Sequence, residues 1–249
     1  MPLQPSPRIV AIVQARMGST RLPGKVLADI GGQPTLSRVI HRLRRSGLIQ
    51  MVLVATTDRP ADDAIVQLCK QHAVAVFRGE EEDVLDRYHR AAQFTRADVV
   101  VRVTSDCPLI DPEITDKTIQ AFLDHGTDYA SNTLRRTYPR GLDTEVMTAQ
   151  ALDQCWRQAT KPYQRVHVTP YIYEHPEQFT LHSVTNAEDY SDYRWTLDTP
   201  EDLEFIRAVY QRMGNDGSFG WRQVLDLLER EPELVTLNSH IVQKALHEG

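Results

Sequence analysis

Cysteine and lysine are both scarce in this 249-residue chain, and it contains no long apolar run. The three cysteines, Cys69, Cys107 and Cys155, are widely spaced and form no Cys-x-x-Cys pair. This spacing argues against a zinc site and favours reduced thiols in a cytoplasmic protein. No apolar stretch approaches the length of about 20 residues that a membrane-spanning helix needs. The first residues also lack the apolar segment of a signal peptide, so we expect no membrane partner.

Positive charge is in the minority as well. Thirty-four acidic residues against 28 basic ones give a net charge of -6 at pH 7, which argues against binding to nucleic acid or anionic membranes. Only five of the basic residues are lysines, so Lys25 is an unusual choice at its position. A hydrophobic content of 41% is ordinary for a globular protein. At this length we expect one core with a smaller appended lobe.

Short β-branched runs alternate with amphipathic helical patterns through the first half of the chain. The predicted strands are 8–14, 51–57, 73–77 and 97–104. The predicted helices lie within 35–47, 59–72, 82–94 and 113–126. Helices between successive strands predict crossover connections and a mostly parallel sheet in an α/β domain. Since ligands of such sheets bind beyond the carboxyl ends of the strands, polar residues that follow a strand are candidate site residues.

This alternation is lost between residues 127 and 195, where three strand-like segments surround two helical stretches. We interpret 127–195 as an inserted lobe of a single domain that spans 8–249. The segment 193–197, YRWTL, is predicted to return to the main sheet, and helical patterns follow it. Residues 1–7 contain three prolines and are predicted to be a disordered lead-in.

The segment VQARMGSTRLPGKVL, residues 13–27, follows the first strand and carries two glycines and three basic residues. A P-loop has four residues between its first glycine and Gly-Lys, then Ser or Thr, then a helix. Here five residues separate Gly18 from Gly24, Val26 follows Lys25, and no helical pattern begins, so the segment is not a P-loop. Its small residues still let backbone N–H groups turn toward an anion, while its basic side chains neutralise charge. We predict a polyphosphate site here, and a solvated basic loop is the alternative.

Two aspartates lie where ligands of magnesium are expected, directly after strands. Asp106 follows the fourth strand, and Asp198 follows the YRWTL segment and precedes a predicted helix. Thr199 and Asp202 match the N-cap and the third position of that helix, which leaves Asp198 available for a metal. Because Mg²⁺ takes one or two protein carboxylates beside substrate phosphates, we predict Asp106 and Asp198 as its ligands. Either aspartate taken alone is more often a cap or turn residue.

The ordered motifs resemble those of the cytidylyltransferase-3 family, which includes acylneuraminate and ketodeoxyoctonate cytidylyltransferases. They are most similar to its spore-coat polysaccharide F-type branch. The resemblance extends over about residues 8–213 and is carried by the motifs ARMGSTRLPGK, FRGEEEDVLDRY, VRVTSDCPLIDP, GLDTEV, HVTPYIY and LDTPEDL.

The resemblance implies a Rossmann-like nucleotide-diphospho-sugar transferase fold whose inserted lobe makes a homodimer. It also implies CTP as donor, Mg²⁺ as cofactor and a small sugar-like acceptor. The implied nucleotide-binding residues are Ala15, Arg16, Gly18, Ser19, Arg21, Lys25, Thr57, Arg87 and Asp106. The implied catalytic residues are Arg16, Lys25, Asp106 and Asp198.

Four further residues are expected to face the acceptor: Asp143, Glu145, Arg165 and His167. Asp143 and Glu145 lie two apart in a predicted strand and therefore share a face, which suits a hydroxylated substrate or plain exposure to solvent. A lone histidine such as His167 is also commonly structural. The chain departs from the branch at Val166, where an acidic residue usually precedes the histidine.

The expected reaction is attack of an acceptor hydroxyl on the α-phosphorus of CTP with release of pyrophosphate, in polysaccharide biosynthesis. Two alternatives stay open: a nucleotide-sugar-dependent glycosyltransferase of similar fold, and a non-catalytic nucleotide-binding module. Glycosyltransferases of this kind usually hold their metal with Asp-x-Asp, which this chain lacks. A binding module would tolerate loss of Lys25 or of either aspartate, yet all three are present. The acceptor is left open between a sugar, a sugar acid and a related polyol.

Overall fold

The computed structural model describes residues 6–243, and a seven-stranded sheet lies at their centre. In chain order its strands are β1 (Ile9–Gln14), β4 (Met51–Thr57), β5 (Ala75–Gly79), β6 (Val99–Thr104), β7 (Tyr129–Ser131), β8 (Glu145–Thr148) and β9 (Leu181–Ser183), while β2 (Asp29–Ile30) and β3 (Gln33–Pro34) form a separate antiparallel pair. The order across the sheet is β5-β4-β1-β6-β8-β7-β9. Both neighbours of β8 pair with it antiparallel and the other pairs are parallel, so six of the seven strands share one direction.

Ten α-helices accompany the strands in the described part of the chain. They are α1 (Thr35–Leu43), α2 (Asp63–Gln71), α3 (Val84–Thr95), α4 (Pro112–His125), α5 (Ala149–Gln158), α6 (Pro162–His167), α7 (Pro170–Glu174), α8 (Pro200–Arg212), α9 (Trp221–Arg230) and α10 (Glu233–Thr236). Among these helices, none is both long and apolar enough to cross a membrane. Local sequence explains several boundaries: Asp111 caps α4 through the N–H groups of Glu113 and Ile114, and Gly126 ends that helix with φ +59°.

β1 is buried on both faces, as the central strand of a sheet covered by helices on each side. Ala11 and Val13 point into a cluster formed with α1, α2 and α4. Val10 and Ile12 point into a second cluster formed with α3, α5 and α7. The two-residue period of a strand therefore divides this apolar run between two cores, which confirms the predicted α/β sheet.

A third apolar cluster joins α8, α9 and α10 to the segment that precedes them. Trp195 and Leu197 are fully buried in it, together with Phe205 of α8 and Trp221 of α9. Thr199 caps α8 as predicted: its side chain accepts from the N–H of Asp202, whose carboxylate accepts from the N–H of Thr199. Asp198 is thereby held between a buried strand-like segment and a well-defined helix start.

Two sequence predictions about strands differ from the structure. The strand predicted at 73–77 is shifted to Ala75–Gly79, because Ala73 takes a positive φ of 50° in the turn after α2. The segment 193–197 is not a strand of the main sheet, so its predicted return there is wrong. It makes one isolated bridge, Arg194 with Arg140, and then passes Asp106, whose carbonyl accepts from the N–H of Leu197 at 2.8 Å.

The predicted strands within 127–195 are present as β7, β8 and β9, and all three extend the central sheet. The segment does not build a sheet of its own in the described part of the chain. Its part in a homodimer stays a prediction. The lead-in predicted at 1–7 lies largely outside the described residues.

Gly141 lies where the chain crosses the 193–197 segment. Its φ is +105°, and a Cβ atom at this position would lie 2.5 Å from the carbonyl carbon of Trp195. The preceding residue is bound to the same segment, since the Arg140 carbonyl accepts from the N–H of Trp195 at 2.7 Å. This close approach of two main chains requires glycine.

We expect Gly141→Ala to lower the free energy of unfolding by ~2–4 kcal/mol, because backbone strain and a clash with main-chain atoms add together. Gly32→Ala is the matched control: Gly32 also has a positive φ, +83°, but nothing lies within 4 Å of its added Cβ. The control should cost only about 1–2 kcal/mol. Urea unfolding followed by circular dichroism measures both losses, and equal losses would contradict the role of the close approach.

Candidate active site

The loop after β1 is held by backbone hydrogen bonds and by one buried carboxylate. The Met17 carbonyl accepts from the N–H groups of Ser19 (2.9 Å) and Gly24 (3.3 Å), and the Met17 N–H donates to Asp62 at 2.7 Å. Gly24 has φ +70°, and a single 3-10 turn, Lys25–Leu27, follows it. An α-helix does not begin after Gly-Lys, in agreement with the conclusion that the segment is not a P-loop.

Thr57, predicted to contact the nucleotide, supports this loop from beneath. Its side chain is fully buried, and its hydroxyl donates to the same Asp62 carboxylate that binds Met17. Thr57 lines neither of the two cavities described below. The structure therefore gives it a place behind the site rather than within it.

A groove of about 690 Å³ runs along the carboxyl ends of β1 and β6. This is the edge of a parallel sheet at which ligands bind. It brings together most of the residues predicted from the sequence: Ala15, Arg16, Gly18, Ser19, Arg21, Lys25, Arg87, Asp106, Asp143, His167 and Asp198.

Lys25 bridges the two predicted metal ligands. Its ammonium group donates to Asp106 at 2.9 Å, to Asp198 at 2.8 Å and to the Leu197 carbonyl at 2.9 Å. The lysine and Asp198 side chains are 14% and 7% exposed, so these contacts are largely shielded from water. Lys25 is predicted to bind the triphosphate, whereas in this structure its ammonium group binds the two aspartates.

The pKa values of Lys25 and Asp106 are shifted in opposite directions. Burial lowers the pKa of Lys25, but the attraction of Asp106 and Asp198 outweighs burial and raises that pKa above its ordinary value. Burial raises the pKa of Asp106, but the Lys25 ammonium and the Thr104 hydroxyl outweigh it and hold that pKa below its ordinary value. Both groups are therefore charged at neutral pH, and the ammonium offsets the repulsion between the carboxylates.

Asp198 has further partners that the helix-cap pattern did not reveal. Arg21 lies 3.0 Å and Arg194 lies 3.2 Å from its carboxylate. Arg194 also donates to both oxygens of Asp202, at 2.8 and 2.9 Å. Asp198 therefore has a structural role as the buried partner of three cations, in addition to any role toward a metal.

Two further cations are predicted to contact the nucleotide, Arg16 and Arg87. The Arg16 side chain is the more exposed, at 46%, and lies 3.7 Å from Glu81. Arg87 projects from α3, is almost fully buried and donates to the Glu80 carbonyl at 2.5 Å. Arg16 thus has the greatest freedom to turn toward a bound anion in the groove.

A second cavity of about 360 Å³ adjoins the groove and shares with it Arg102, Thr104, Asp143 and His167. Its other lining residues are Thr133, Leu134, Arg136, Glu145, Thr169 and Tyr173. Three of the four residues expected to face the acceptor, Asp143, Glu145 and His167, therefore lie in this cavity. We refer to it as the side cavity.

The charges of the side cavity are paired with one another. Arg136 binds both oxygens of Asp143, at 2.6 and 2.9 Å, and Arg102 pairs with Glu145. Glu145 also accepts from the hydroxyl of Thr169 at 2.5 Å. Carboxylates, guanidinium groups and hydroxyls together form a lining that hydrogen-bonds a hydroxylated molecule.

Tyr173 adds a hydroxyl donor to this lining. Burial, and then the nearby charge of Glu145, raise the pKa of Tyr173 to about 12. The phenol is therefore protonated throughout the physiological range.

Arg165, the fourth residue expected to face the acceptor, lines neither cavity. It donates to the carboxylate of Asp83, the N-cap of α3, and at 2.7 Å to the Trp156 carbonyl. Its position ties α5 and α6 to the start of α3. A sequence motif alone does not distinguish such a contact between helices from a contact with substrate.

Sequence reasoning missed Arg102, Thr104, Arg140 and Tyr173, all of which line one or both cavities. A usable signal existed for Arg102, because a charged residue inside the apolar strand VVVRVT requires a buried partner. Arg140 had no such signal, since arginine is common in loops. Only the bridge between 140 and 194 brings it to the groove.

The sheet, the basic loop after β1 and the convergence of Asp106 and Asp198 on Lys25 define an α/β protein with a charged groove at the carboxyl ends of its parallel strands. Residues 10–220 match the family model described as cytidylyltransferase. The chain therefore belongs to the cytidylyltransferase family and is a nucleotidyltransferase.

Individual relatives agree with this assignment. The spore coat polysaccharide biosynthesis protein SpsF of Bacillus subtilis is 39% identical over 92% of this chain and 97% of its own. The structure of a cytidylyltransferase from Leptospira borgpetersenii superposes with a TM-score of 0.90 at 34% identity, over 96% of this chain and all of that one. The structure of CMP:2-keto-3-deoxy-manno-octonic acid synthetase complexed with CTP is similar in fold, with a TM-score of 0.65 at 20% identity, over 83% of this chain and 99% of that one.

We expect Asp198→Asn to lower the free energy of unfolding by about 2 kcal/mol or more, because it leaves buried cations without their shared counter-charge. Asp63→Asn is the control: Asp63 also pairs with an arginine, Arg78, but is 63% exposed, and its loss should cost less than ~1 kcal/mol. Urea unfolding at pH 7 compares the two variants. A loss at Asp198 no larger than the control would show that its ion pairs do not support the fold.

Proposed function

We propose that this protein transfers CMP from CTP to a hydroxyl group of a sugar, sugar acid or related polyol, with release of pyrophosphate and dependence on Mg²⁺. One observation carries the proposal: the basic loop after β1, Asp106 after β6 and Asp198 before α8 meet in one groove, which adjoins a hydroxyl-lined side cavity. The groove has the character of a nucleotide site and the side cavity that of an acceptor site. The family to which the chain belongs supports the same donor.

On the nucleotide side, Arg16, Gly18, Ser19 and Arg21 surround the triphosphate. Glycine and serine leave the backbone N–H groups accessible to phosphate oxygens, and the arginines neutralise charge in a forked geometry. Arg16 has only a long contact with Glu81, at 3.7 Å, so it exchanges that partner for phosphate at small cost.

Asp106 and Asp198 fit a divalent cation, because their carboxylates already converge on one cation, the Lys25 ammonium, at 2.9 and 2.8 Å. Within residues 6–243 there is no cluster of three or more His, Cys, Asp or Glu side chains suited to a metal, so substrate and water would complete the coordination of an ion held by Asp106 and Asp198. Mg²⁺ held by these aspartates would supply charge stabilisation at phosphate and a lower pKa for the attacking hydroxyl. The Lys25 ammonium would then be available to the triphosphate, as the sequence predicts.

On the acceptor side, the Asp143 carboxylate and the Tyr173 hydroxyl orient hydroxyl groups of the bound molecule. Asp143 lines both the side cavity and the groove, so an acceptor held by it lies next to the nucleotide phosphates. Attack by the acceptor oxygen forms one bond to the α-phosphorus and breaks the bond to the departing pyrophosphate, while the hydroxyl proton passes to water. Holding both reactants in line supplies much of the rate enhancement in such transfers.

A cytoplasmic location belongs to the same proposal. All three cysteines, Cys69, Cys107 and Cys155, are buried free thiols, as expected in a reducing compartment. Fractionation of the source cells, with detection of the chain by antibody, tests this location.

Pyrophosphate release from CTP, UTP, ATP and GTP tests the reaction. Each nucleotide is supplied with a panel of sugar acids, neutral sugars and polyol phosphates, with Mg²⁺ or with EDTA. We expect release from CTP with one acceptor class, a CMP–acceptor conjugate by mass spectrometry, and no turnover in EDTA. Asp106→Asn is the control for contaminating activity and should lose at least ~10²-fold in rate. Comparable turnover of purine nucleotides, or turnover that persists in EDTA, would contradict the proposal.

We further propose that segment 127–195 makes a homodimer. The support is its position at one end of the sheet, where β9 is an edge strand. Light scattering at micromolar concentration should give twice the chain mass of 28.4 kDa. A mass of one chain at that concentration would exclude a stable dimer.

A further inference from the structure

Arg140 is held rigidly beside the groove by its main chain. Its N–H donates to the Tyr193 carbonyl at 3.0 Å, and its carbonyl accepts from the N–H of Trp195 at 2.7 Å. The next residue, Gly141, allows the two main chains to approach this closely. The Arg140 side chain is half-buried and lines the groove with Asp143 and Asp198.

Three other arginines of the site are paired with carboxylates, and Arg140 is not. Arg136 binds Asp143, Arg194 binds Asp198 and Asp202, and Arg102 binds Glu145. The Arg140 guanidinium makes no hydrogen bond or ion pair with any residue that the structure describes. Burial, and then the charge of Arg136, lower the pKa of Arg140. A half-buried cation in a ligand groove, with no partner among the described residues, is suited to bind an anion of the ligand.

The position of Arg140 indicates which anion that is. The carboxylates of Asp143 and Asp198 both act on its charge. Asp143 lines both the groove and the side cavity, and Asp198 lines the groove together with Asp106. In the proposed reaction the phosphate that is attacked lies at this junction. The cations near Asp198 are already compensated by carboxylates, whereas the charge of Arg140 is available.

We propose that Arg140 is a catalytic residue that donates to a non-bridging oxygen of the α-phosphate of the nucleotide. The inference rests on the proposed function and adds to it the residue that binds the transferred group. As the acceptor oxygen bonds to phosphorus and pyrophosphate departs, Arg140 keeps its proton and stabilises the negative charge on the phosphate oxygens. Arginine suits this role because its guanidinium stays protonated and binds two oxygens at once.

Calorimetric titration of CMP and of cytidine tests this contact without knowledge of the acceptor. We expect the wild-type protein to bind CMP more tightly than cytidine, and Arg140→Gln to reduce that preference about tenfold, the value of a charge-assisted hydrogen bond. Arg140→Lys should retain part of the preference for CMP, because lysine keeps the positive charge but cannot bind two oxygens in the forked geometry of a guanidinium group. Arg135→Gln is the control, since Arg135 is exposed, lines neither cavity and uses its backbone N–H to contact Ser183.

Turnover of CTP with the acceptor found in the pyrophosphate assay is the second readout. Arg140→Gln should raise KM for CTP about tenfold, in line with the lost preference for CMP, and should also lower kcat at least ~10²-fold, since the contact strengthens as charge develops. Unchanged CMP preference and unchanged kcat would overturn the inference while the proposed function stands. A selective rise in KM for anionic acceptors would overturn it too, because Arg140 would then bind the acceptor. Absence of CMP and CTP binding in the wild-type protein would instead refute the proposed function, and this inference with it.

Discussion

The ion pairs of Lys25 with Asp106 and Asp198 join three distant parts of the chain at one point. Lys25 comes from the loop after β1, Asp106 from the end of β6 and Asp198 from the start of α8. Because Lys25 and Asp198 are largely shielded from water, their charges depend on each other and on Asp106 for compensation. The basic loop, the segment 193–197 and the helix start are therefore held together at one side of the groove.

The topology of the sheet explains why two cavities adjoin at this point. β1 and β6 are neighbours and parallel, so the loop after one and Asp106 after the other emerge side by side. β8 runs in the opposite direction beside β6, which brings its first residue, Glu145, to the same edge as Arg102. The one reversed strand of the sheet, β8, thus places the side cavity beside the groove.

Charge compensation runs through the whole site. Carboxylates are matched by cations at Asp198, Asp143 and Glu145, and the matching partners come from different elements in each case. Such pairs hold polar side chains in fixed positions without a ligand, which is the preorganisation that transition-state stabilisation requires. Each ion pair offsets the free-energy cost of burying its own charges. The two clusters that pack on the faces of the sheet are formed by apolar residues.

Sequence by itself determined what short-range physics encodes: the alternation of strands and helices, the parallel sheet, the Thr199–Asp202 cap and the ordered motifs of the family. It also identified the loop and Asp106, because polar residues directly after strands meet at one edge of a sheet. Asp198 was identified because Thr199 and Asp202 already account for the cap of the helix that follows it. Tertiary structure decided which partner each charged side chain takes. Asp62 binds Met17, Arg165 binds Asp83 and Arg140 reaches the groove through contacts between segments far apart in the chain. Periodicity carries no information on such contacts, since they depend on which surfaces the folded chain brings together.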